Sequence, residues 1–183
     1  MDDKNIWLNK SASPYKLSEK IRMQIWWIVE RIFFRLSFQK LRGWRNFLLR
    51  LFGAKIGSGV GIHPKARIWL PWNLEIGNNT GIGFDVLIYN LGKVVIGNYS
   101  TISQRTHINT GSHDINDPDF KLITKPVNIG SGVFIGTETY ISPGVTIGDM
   151  AVVGARSVVT KDLPANMICY GHPCIPIKER VKK

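Results

Sequence analysis

From Ile56 onward an aliphatic residue returns at every sixth position within sets of three, with a two-residue slip before the sets that open at Ile76 and Ile96. The sets are Ile56, Ile62 and Ile68; Ile76, Ile82 and Ile88; Ile96, Ile102 and Ile108; Ile129, Ile135 and Ile141; and Ile147, Val153 and Val159. Glycine often follows, as in Ile76-Gly77, Ile82-Gly83 and Ile147-Gly148. A period of six fits neither the 3.6 of a helix nor the alternation of a half-buried strand, so it marks a repeat architecture. Three hexapeptides make one triangular coil: the aliphatic residue points into a prism, and the small residues beside it let the chain turn the corners. Five sets predict an all-β solenoid, a parallel β-helix of about five coils.

The repeat has one long break. After Ile108 the next in-phase position is 114, yet the pattern resumes at Ile129, so a loop leaves the prism between Asn109 and Asn128. Such a loop on a regular solenoid is a candidate functional element. It contains Thr110-Gly111-Ser112-His113-Asp114 and Asp117-Pro118-Asp119-Phe120. The chain divides into a basic, aromatic-rich helical segment (1–55), the β-helix (56–164, with the excursion at 109–128) and a C-terminal cap with a basic tail (165–183).

Residues 1–55 hold twelve Lys and Arg against four Asp and Glu, which supplies +8 of the +11 net charge. An asymmetry of this size implies an anionic partner: nucleic acid, a membrane surface or an acidic neighbouring subunit. No recognised nucleic-acid module accompanies it, so nucleic acid is set aside. Between Lys16 and Phe38, Ile21, Ile25, Ile28, Val29, Ile32 and Leu36 fall at helical spacing, with Ser18 as N-cap, which predicts one amphipathic helix. Trp26, Trp27, Phe33, Phe34 and Phe38 widen its apolar face and Arg22, Arg31, Arg35 and Lys40 flank it. A helix of this kind can lie in a membrane interface through residues 17–40, or pack on the prism or a neighbouring subunit. Charges within Ile21–Phe38 exclude a membrane span. Two cysteines, Cys169 and Cys174, without a secretory leader before them, fit a reducing cytoplasmic location, at most peripheral to the inner membrane face.

Several stretches carry a family likeness: Gly43-Trp44-Arg45-Asn46-Phe47 through Ile56-Gly57, Pro71-Trp72-Asn73-Leu74, Ser103-Gln104, the Gly111-Ser112-His113-Asp114 loop, Pro143-Gly144-Val145-Thr146-Ile147-Gly148, Val158-Val159-Thr160-Lys161-Asp162 and Gly171-His172-Pro173-Cys174. In these the chain resembles the hexapeptide-repeat acetyltransferases, and among them the colanic acid biosynthesis O-acetyltransferases. The resemblance implies a left-handed coil, a homotrimer with active sites between prisms, acetyl-CoA as donor, and a saccharide or lipid-linked saccharide hydroxyl as acceptor.

Acetyl transfer from a thioester to a hydroxyl needs a base for the hydroxyl proton and donors for the oxyanion. By motif position His113 matches the family's catalytic histidine, and it lies in the one large excursion from the solenoid. A lone loop histidine is otherwise a solvated side chain; the motif decides against that. Asp114 is a candidate for orienting its ring, and His107, six residues earlier, a candidate for lining the site. His63 and His172 fit structural or turn roles. Asp85, Asn90 and Gln104 are the acceptor-binding candidates, against a plain reading as solvated polar residues. For CoA, Thr160, Lys161 and Lys178 match the family's later-coil and C-terminal positions, with Arg156 as a further candidate. Where relatives carry Trp before Ile-Gly in the fourth coil this chain has Phe134, which keeps an apolar wall and loses an indole N–H.

Two other readings share the architecture. A γ-type carbonic anhydrase binds zinc through three histidines and predicts a His-x4-His pair, whereas five residues separate His107 and His113. A non-catalytic scaffold has no use for an out-of-phase histidine loop. No metal is expected for acetyl transfer.

Overall fold

The computed structural model describes residue 13 and residues 15–181; the first twelve residues, Pro14, Lys182 and Lys183, parts of the basic segment and tail, lie outside the described residues. All fifteen periodic residues are buried, none more than 8% exposed. They line a three-sided prism. Its first face stacks Lys55–Ile56, Leu74–Ile76, Val94–Ile96, Val127–Ile129 and Thr146–Ile147 as a parallel sheet. The second stacks Gly61–Ile62, Gly81–Ile82, Thr101–Ile102, Phe134–Ile135, Val152–Val153 and Met167–Gly171, and the third Arg67–Ile68, Leu87–Tyr89, His107–Asn109, Tyr140–Ile141 and Val158–Val159. The register keeps the repeat in phase, with Ile62 beside Ile82 and Ile82 beside Ile102. Five complete coils are followed by a partial sixth, in which Leu163 bridges to Ile147 and Met167–Gly171 adds to the second face.

Corners turn through left-handed backbone. Asn79, Tyr99 and Met150 hold one column of positive φ, and Asp85, Arg105, Glu138 and Arg156 another. Buried hydroxyls satisfy the carbonyls that the turns leave without a strand partner: Thr80 Oγ1 donates to Gly97 O (2.7 Å) and Ser100 Oγ to Gly130 O (2.8 Å). A Cβ on Gly136 would lie 2.5 Å from Ala155 N, so only glycine lets these two coils stack at that corner.

The N-terminal segment departs from the expected single helix. Helix α1 (Leu17–Val29) continues through a π-helical turn (Glu30–Phe34), and α2 (Arg42–Leu51) follows. The N-cap is Lys16, not Ser18; its backbone N–H donates to the Glu19 carboxylate at 2.7 Å. The buried face is also different. Met23, Trp26 and Phe34 close the open end of the prism, with Trp26 Nε1 donating to Ile68 O at 2.8 Å, while Ile21, Ile25, Ile28, Ile32 and Leu36 stay about half exposed or more. The aromatic residues won the covered position because Trp26 packs its ring on Phe34 and Phe52 and satisfies its N–H at once.

Helix α2 is fastened by a buried arginine. Arg45 is 1% exposed and donates to Ile62 O (2.8 Å), Phe38 O (2.8 Å), Gln39 O (2.7 Å) and Ser37 Oγ (2.9 Å). Among the described residues no carboxylate neutralises its charge; three carbonyl dipoles and a hydroxyl replace its hydration. At the other end Met167–Gly171 and Cys174–Glu179 form an antiparallel pair, with the Cys169 and Cys174 thiols free and buried beneath it.

Candidate active site

The excursion after the third coil is a hairpin. Gly111–His113 pairs antiparallel with Leu122–Thr124, so His113 lies opposite Leu122 near the turn. Two contacts fix its ring. The imidazole stacks on Phe120 with centroids 4.4 Å apart and planes 8° apart, and Nδ1 lies 2.7 Å from Phe120 O. A carbonyl only accepts, so Nδ1 carries the hydrogen and Nε2 keeps its lone pair free. Phe120 reaches this position with φ at +48°, a backbone state that bulky side chains rarely adopt. Strain of this kind gathers at functional sites, and here it aims the carbonyl at the ring.

The orienting group is therefore the Phe120 carbonyl and not Asp114. Asp114 Oδ1 accepts from the Asn116 backbone N–H at 3.0 Å, and its own N–H donates to Lys121 O at 2.9 Å, so it builds the turn. Lys121 Nζ to Asp117 at 2.9 Å closes the same turn; the ammonium beside Asp117 holds that carboxyl below the usual carboxylate range.

The remaining candidates fall on separate parts of the prism. Thr160 and Lys161 are exposed at the corner between the third and first faces, the corner from which the hairpin leaves two coils earlier. Asp85 and Gln104 are exposed at the corner between the second and third faces, in adjacent coils. Arg156 stands lower in that column, where Arg105 (3.3 Å) and Arg156 (2.7 Å) both pair with Glu138 and hold its carboxyl below its ordinary range. Lys178 is exposed on the terminal strand of the second face, opposite Ile168, and Phe134, 43% exposed, projects its ring from the same face. One protomer thus brings His113 to the corner of Thr160 and Lys161 and leaves Asp85, Gln104 and Lys178 elsewhere.

Asn90 is withdrawn from the acceptor set. It is wholly buried, accepting from Leu70 N–H at 2.9 Å and donating to Leu70 O at 2.6 Å, so its amide bridges the first two coils.

His107 points outward on the third face against Tyr140, edge to face at 5.3 Å; its buried Nε2 has no partner among the described residues, and burial pushes its pKa down. Asn109, two residues on, donates to Tyr140 Oη at 2.9 Å. His63 accepts the Lys65 N–H in a turn (3.1 Å), and His172 Nε2 meets the Arg156 carbonyl. Among the described residues no group of three or more His, Cys, Asp or Glu side chains is placed to hold a metal ion, and no helix is long and apolar enough to cross a membrane.

The reading of the residues missed the Phe120 carbonyl and the Tyr89–Asn109–Tyr140 surface beside the hairpin. The aromatic residues at the outward positions Trp69, Tyr89 and Tyr140 were the available signal, since solvated solenoid faces carry short polar residues without penalty.

Comparisons with known proteins bear on the same elements. Residues 126–161 match the family described as bacterial transferase hexapeptide (six repeats). The chain is 48% identical over 162 residues, 88% of its length and 89% of the other, to the Escherichia coli (strain K12) protein named "Putative colanic acid biosynthesis acetyltransferase WcaF". It is 33% identical over 138 residues to the galactoside O-acetyltransferase of Escherichia coli (strain K12), covering 74% of this chain and 68% of that one. Its fold superimposes on a galactoside acetyltransferase in complex with coenzyme A with a TM-score of 0.84 at 27% identity, covering 92% of this chain and 86% of that one.

Proposed function

Because this chain belongs to the hexapeptide-repeat acetyltransferases, enzymes with acetyl-CoA as donor, we propose that it O-acetylates a saccharide hydroxyl in the assembly of a cell-surface or exopolysaccharide, with His113 as general base. The observation that carries the assignment is the His113 ring: Nδ1 is committed to the Phe120 carbonyl, and Nε2 is left as an acceptor for a proton.

In this reading Nε2 takes the acceptor's hydroxyl proton as the oxygen attacks the thioester carbonyl carbon. The tetrahedral oxyanion collapses with cleavage of the C–S bond. The imidazolium returns the proton to the departing CoA thiolate, so the ring ends as it began. Phe120 O stabilises the charged ring in between, because Nδ1–H then donates from a cation.

Thr160, Lys161 and Lys178 are assigned to CoA, the lysines as charge partners for its phosphates, with Phe134 as an apolar wall. Arg156 is a weaker partner because Glu138 already neutralises it. Asp85 and Gln104 are assigned to the acceptor. They occupy a different corner from His113, so a neighbouring protomer is needed to complete the site, which supports a homotrimer with its active sites between prisms. The same reading keeps the division at residues 55 and 164 and a cytoplasmic location.

Helix α1 is assigned to the inner membrane face. Ile21, Ile25, Ile28 and Ile32 form an exposed aliphatic stripe beside exposed Lys20 and Arg31, the layout of an interfacial helix. An acceptor carried on a lipid then meets the enzyme at the surface where it resides.

The test is incubation with labelled acetyl-CoA and separate saccharide and lipid-linked saccharide fractions. Label in either fraction with matching release of CoA thiol is expected. Thiol release without label in any saccharide, or neither, contradicts the assignment.

A further inference from the structure

A second constellation lies at the opposite end of the third face from the CoA candidates. Trp27, Glu30 and Arg31 from the N-terminal helix meet Arg67, Ile68 and Trp69 of the first coil around a cavity of about 150 Å³. Its walls are aromatic: the Trp27 and Trp69 rings stand 4.9 Å apart at 51°. Glu30 lines the same cavity with a buried Oε1, and among the described residues that oxygen has no hydrogen-bond partner and Glu30 forms no ion pair.

That carboxylate is costly where it stands. Burial pushes the Glu30 carboxyl above its ordinary range, against the opposing pull of Arg35, Arg67 and Arg31. Nothing in the packing of α1 uses the free oxygen, since Trp26 and Trp27 already fasten the helix to Ile68 O and Trp69 O. A buried acceptor without a partner calls for a ligand that supplies the donor.

The cavity is also connected to the hairpin. Trp69 packs on Tyr89 with centroids 5.1 Å apart, one coil onward. The Tyr89 ring lies under the hairpin, its Cε1 3.6 Å from where a Cβ on Gly111 would stand, and Gly111 begins the strand that ends at His113. An aromatic row thus runs from the cavity across two strand spacings, about 10 Å, to the strand that carries the base. This is further than one pyranose ring reaches.

Flat aromatic faces with a carboxylate acceptor and guanidinium donors match one ligand class. A sugar ring offers an apolar C–H face to indole, hydroxyl donors to Glu30 and hydroxyl acceptors to Arg67. We propose that the cavity between α1 and the first coil is a saccharide subsite, which holds a sugar unit remote from the acetylated hydroxyl, and that Trp69 and Tyr89 carry the intervening chain to His113. The acceptor is then an oligosaccharide and not a single sugar. This rests on the acetyltransferase reading, yet the subsite can be tested without turnover.

The full-length protein, wild type and variant, is applied to an array of immobilised saccharides from monosaccharides to hexasaccharides, containing neutral hexoses, deoxyhexoses and uronic acids. Wild type and His113→Ala are expected to retain the same oligosaccharides and to pass over their monosaccharides. Trp69→Ala and Glu30→Gln are expected to bind those oligosaccharides about tenfold or more weakly, the scale of one lost stacking contact or one charge-assisted hydrogen bond. Coenzyme A affinity, measured on the same preparations, is expected to be unchanged and guards against misfolding. Glu30→Gln is further expected to melt no lower than wild type, because it removes a buried charge. Retention of nothing by the wild type, of monosaccharides as tightly as oligosaccharides, or of the same glycans by Glu30→Gln at wild-type strength overturns the subsite. Glycan binding without acetyl transfer leaves the subsite standing and removes the catalytic assignment; transfer with an acceptor KM that does not rise in Glu30→Gln does the reverse.

Discussion

Two regions of this molecule carry aliphatic residues at regular spacing, and the spacing has opposite outcomes in them. In the prism every periodic residue from Ile56 to Val159 turns inward and is at most 8% exposed. In α1 and the π-helical turn that continues it, the periodic residues Ile21, Ile25, Ile28 and Ile32 are 52%, 49%, 57% and 49% exposed, while Trp26, between them in sequence, is wholly buried. A triangular coil has only one inside, so the periodic position and the covered position coincide. A helix on the end of a prism has two faces to offer. It buries the one with the larger area and a hydrogen bond to give, and leaves the regular stripe outside.

This contrast predicts a graded set of substitutions. The largest effect belongs to the prism: Ile135→Ala removes buried methyl groups from a column that cannot collapse, and is expected to cost about 2–5 kcal/mol in chemical denaturation. Loss of a comparable amount at Ile25 would erase the distinction between the regions. Arg45→Leu comes next, at about 3 kcal/mol, because it leaves three backbone carbonyls and Ser37 without their donor. A smaller penalty would mean that α2 is held by its apolar residues alone.

The triple change Ile21→Ser, Ile25→Ser, Ile28→Ser is expected to move stability by under about 0.5 kcal/mol per site, as for other exposed positions. It is also expected to abolish sedimentation with vesicles of anionic phospholipid. A large stability loss with unchanged sedimentation would assign the stripe to a protein contact instead.

The smallest effect is a pH dependence. Burial lowers the pKa of His107, and burial with nearby Arg45 and Lys65 lowers that of His63. The folded state therefore refuses protons that the unfolded chain accepts below its ordinary histidine value of about 6.5. Stability is complete above that pH and declines as the pH falls through it, since the unfolded state then binds more protons. His107→Gln is expected to flatten the decline in melts between pH 7.5 and 5.5; an unchanged slope would assign it to other groups. The cysteines add a check in the alkaline direction. Burial pushes Cys169 up to about 11, so a thiol reagent at neutral pH is expected to leave it unmodified until the protein unfolds.

Much of the architecture was legible because a hexapeptide repeat encodes its own geometry. Ile76 and Ile96 can share a face only if each coil is complete between them, and the interval from Ile108 to Ile129 is too long for one corner, so a loop has to leave the prism there. The partial sixth turn was hidden because Leu163 and Cys169 sit outside the six-residue phase. The second helix was hidden behind Arg45, an arginine that reads as surface charge until its carbonyl partners are seen. At the site, the motif drew attention to His113, but its orienting partner is a backbone carbonyl, and any residue type carries one. Asn90 looked like an acceptor contact because an amide reads alike whether it faces sugar or bridges two coils; burial alone separates the cases.

The central claim is that His113, held by the Phe120 carbonyl, removes the acceptor proton. Its most direct measurement is kcat/KM for acetyl transfer by wild type and His113→Ala, both shown to have the same mass in solution and the same melting temperature. A loss of about 100-fold or more, the scale of a general base removed from its transition state, is the predicted result; equal rates in the two proteins would contradict it.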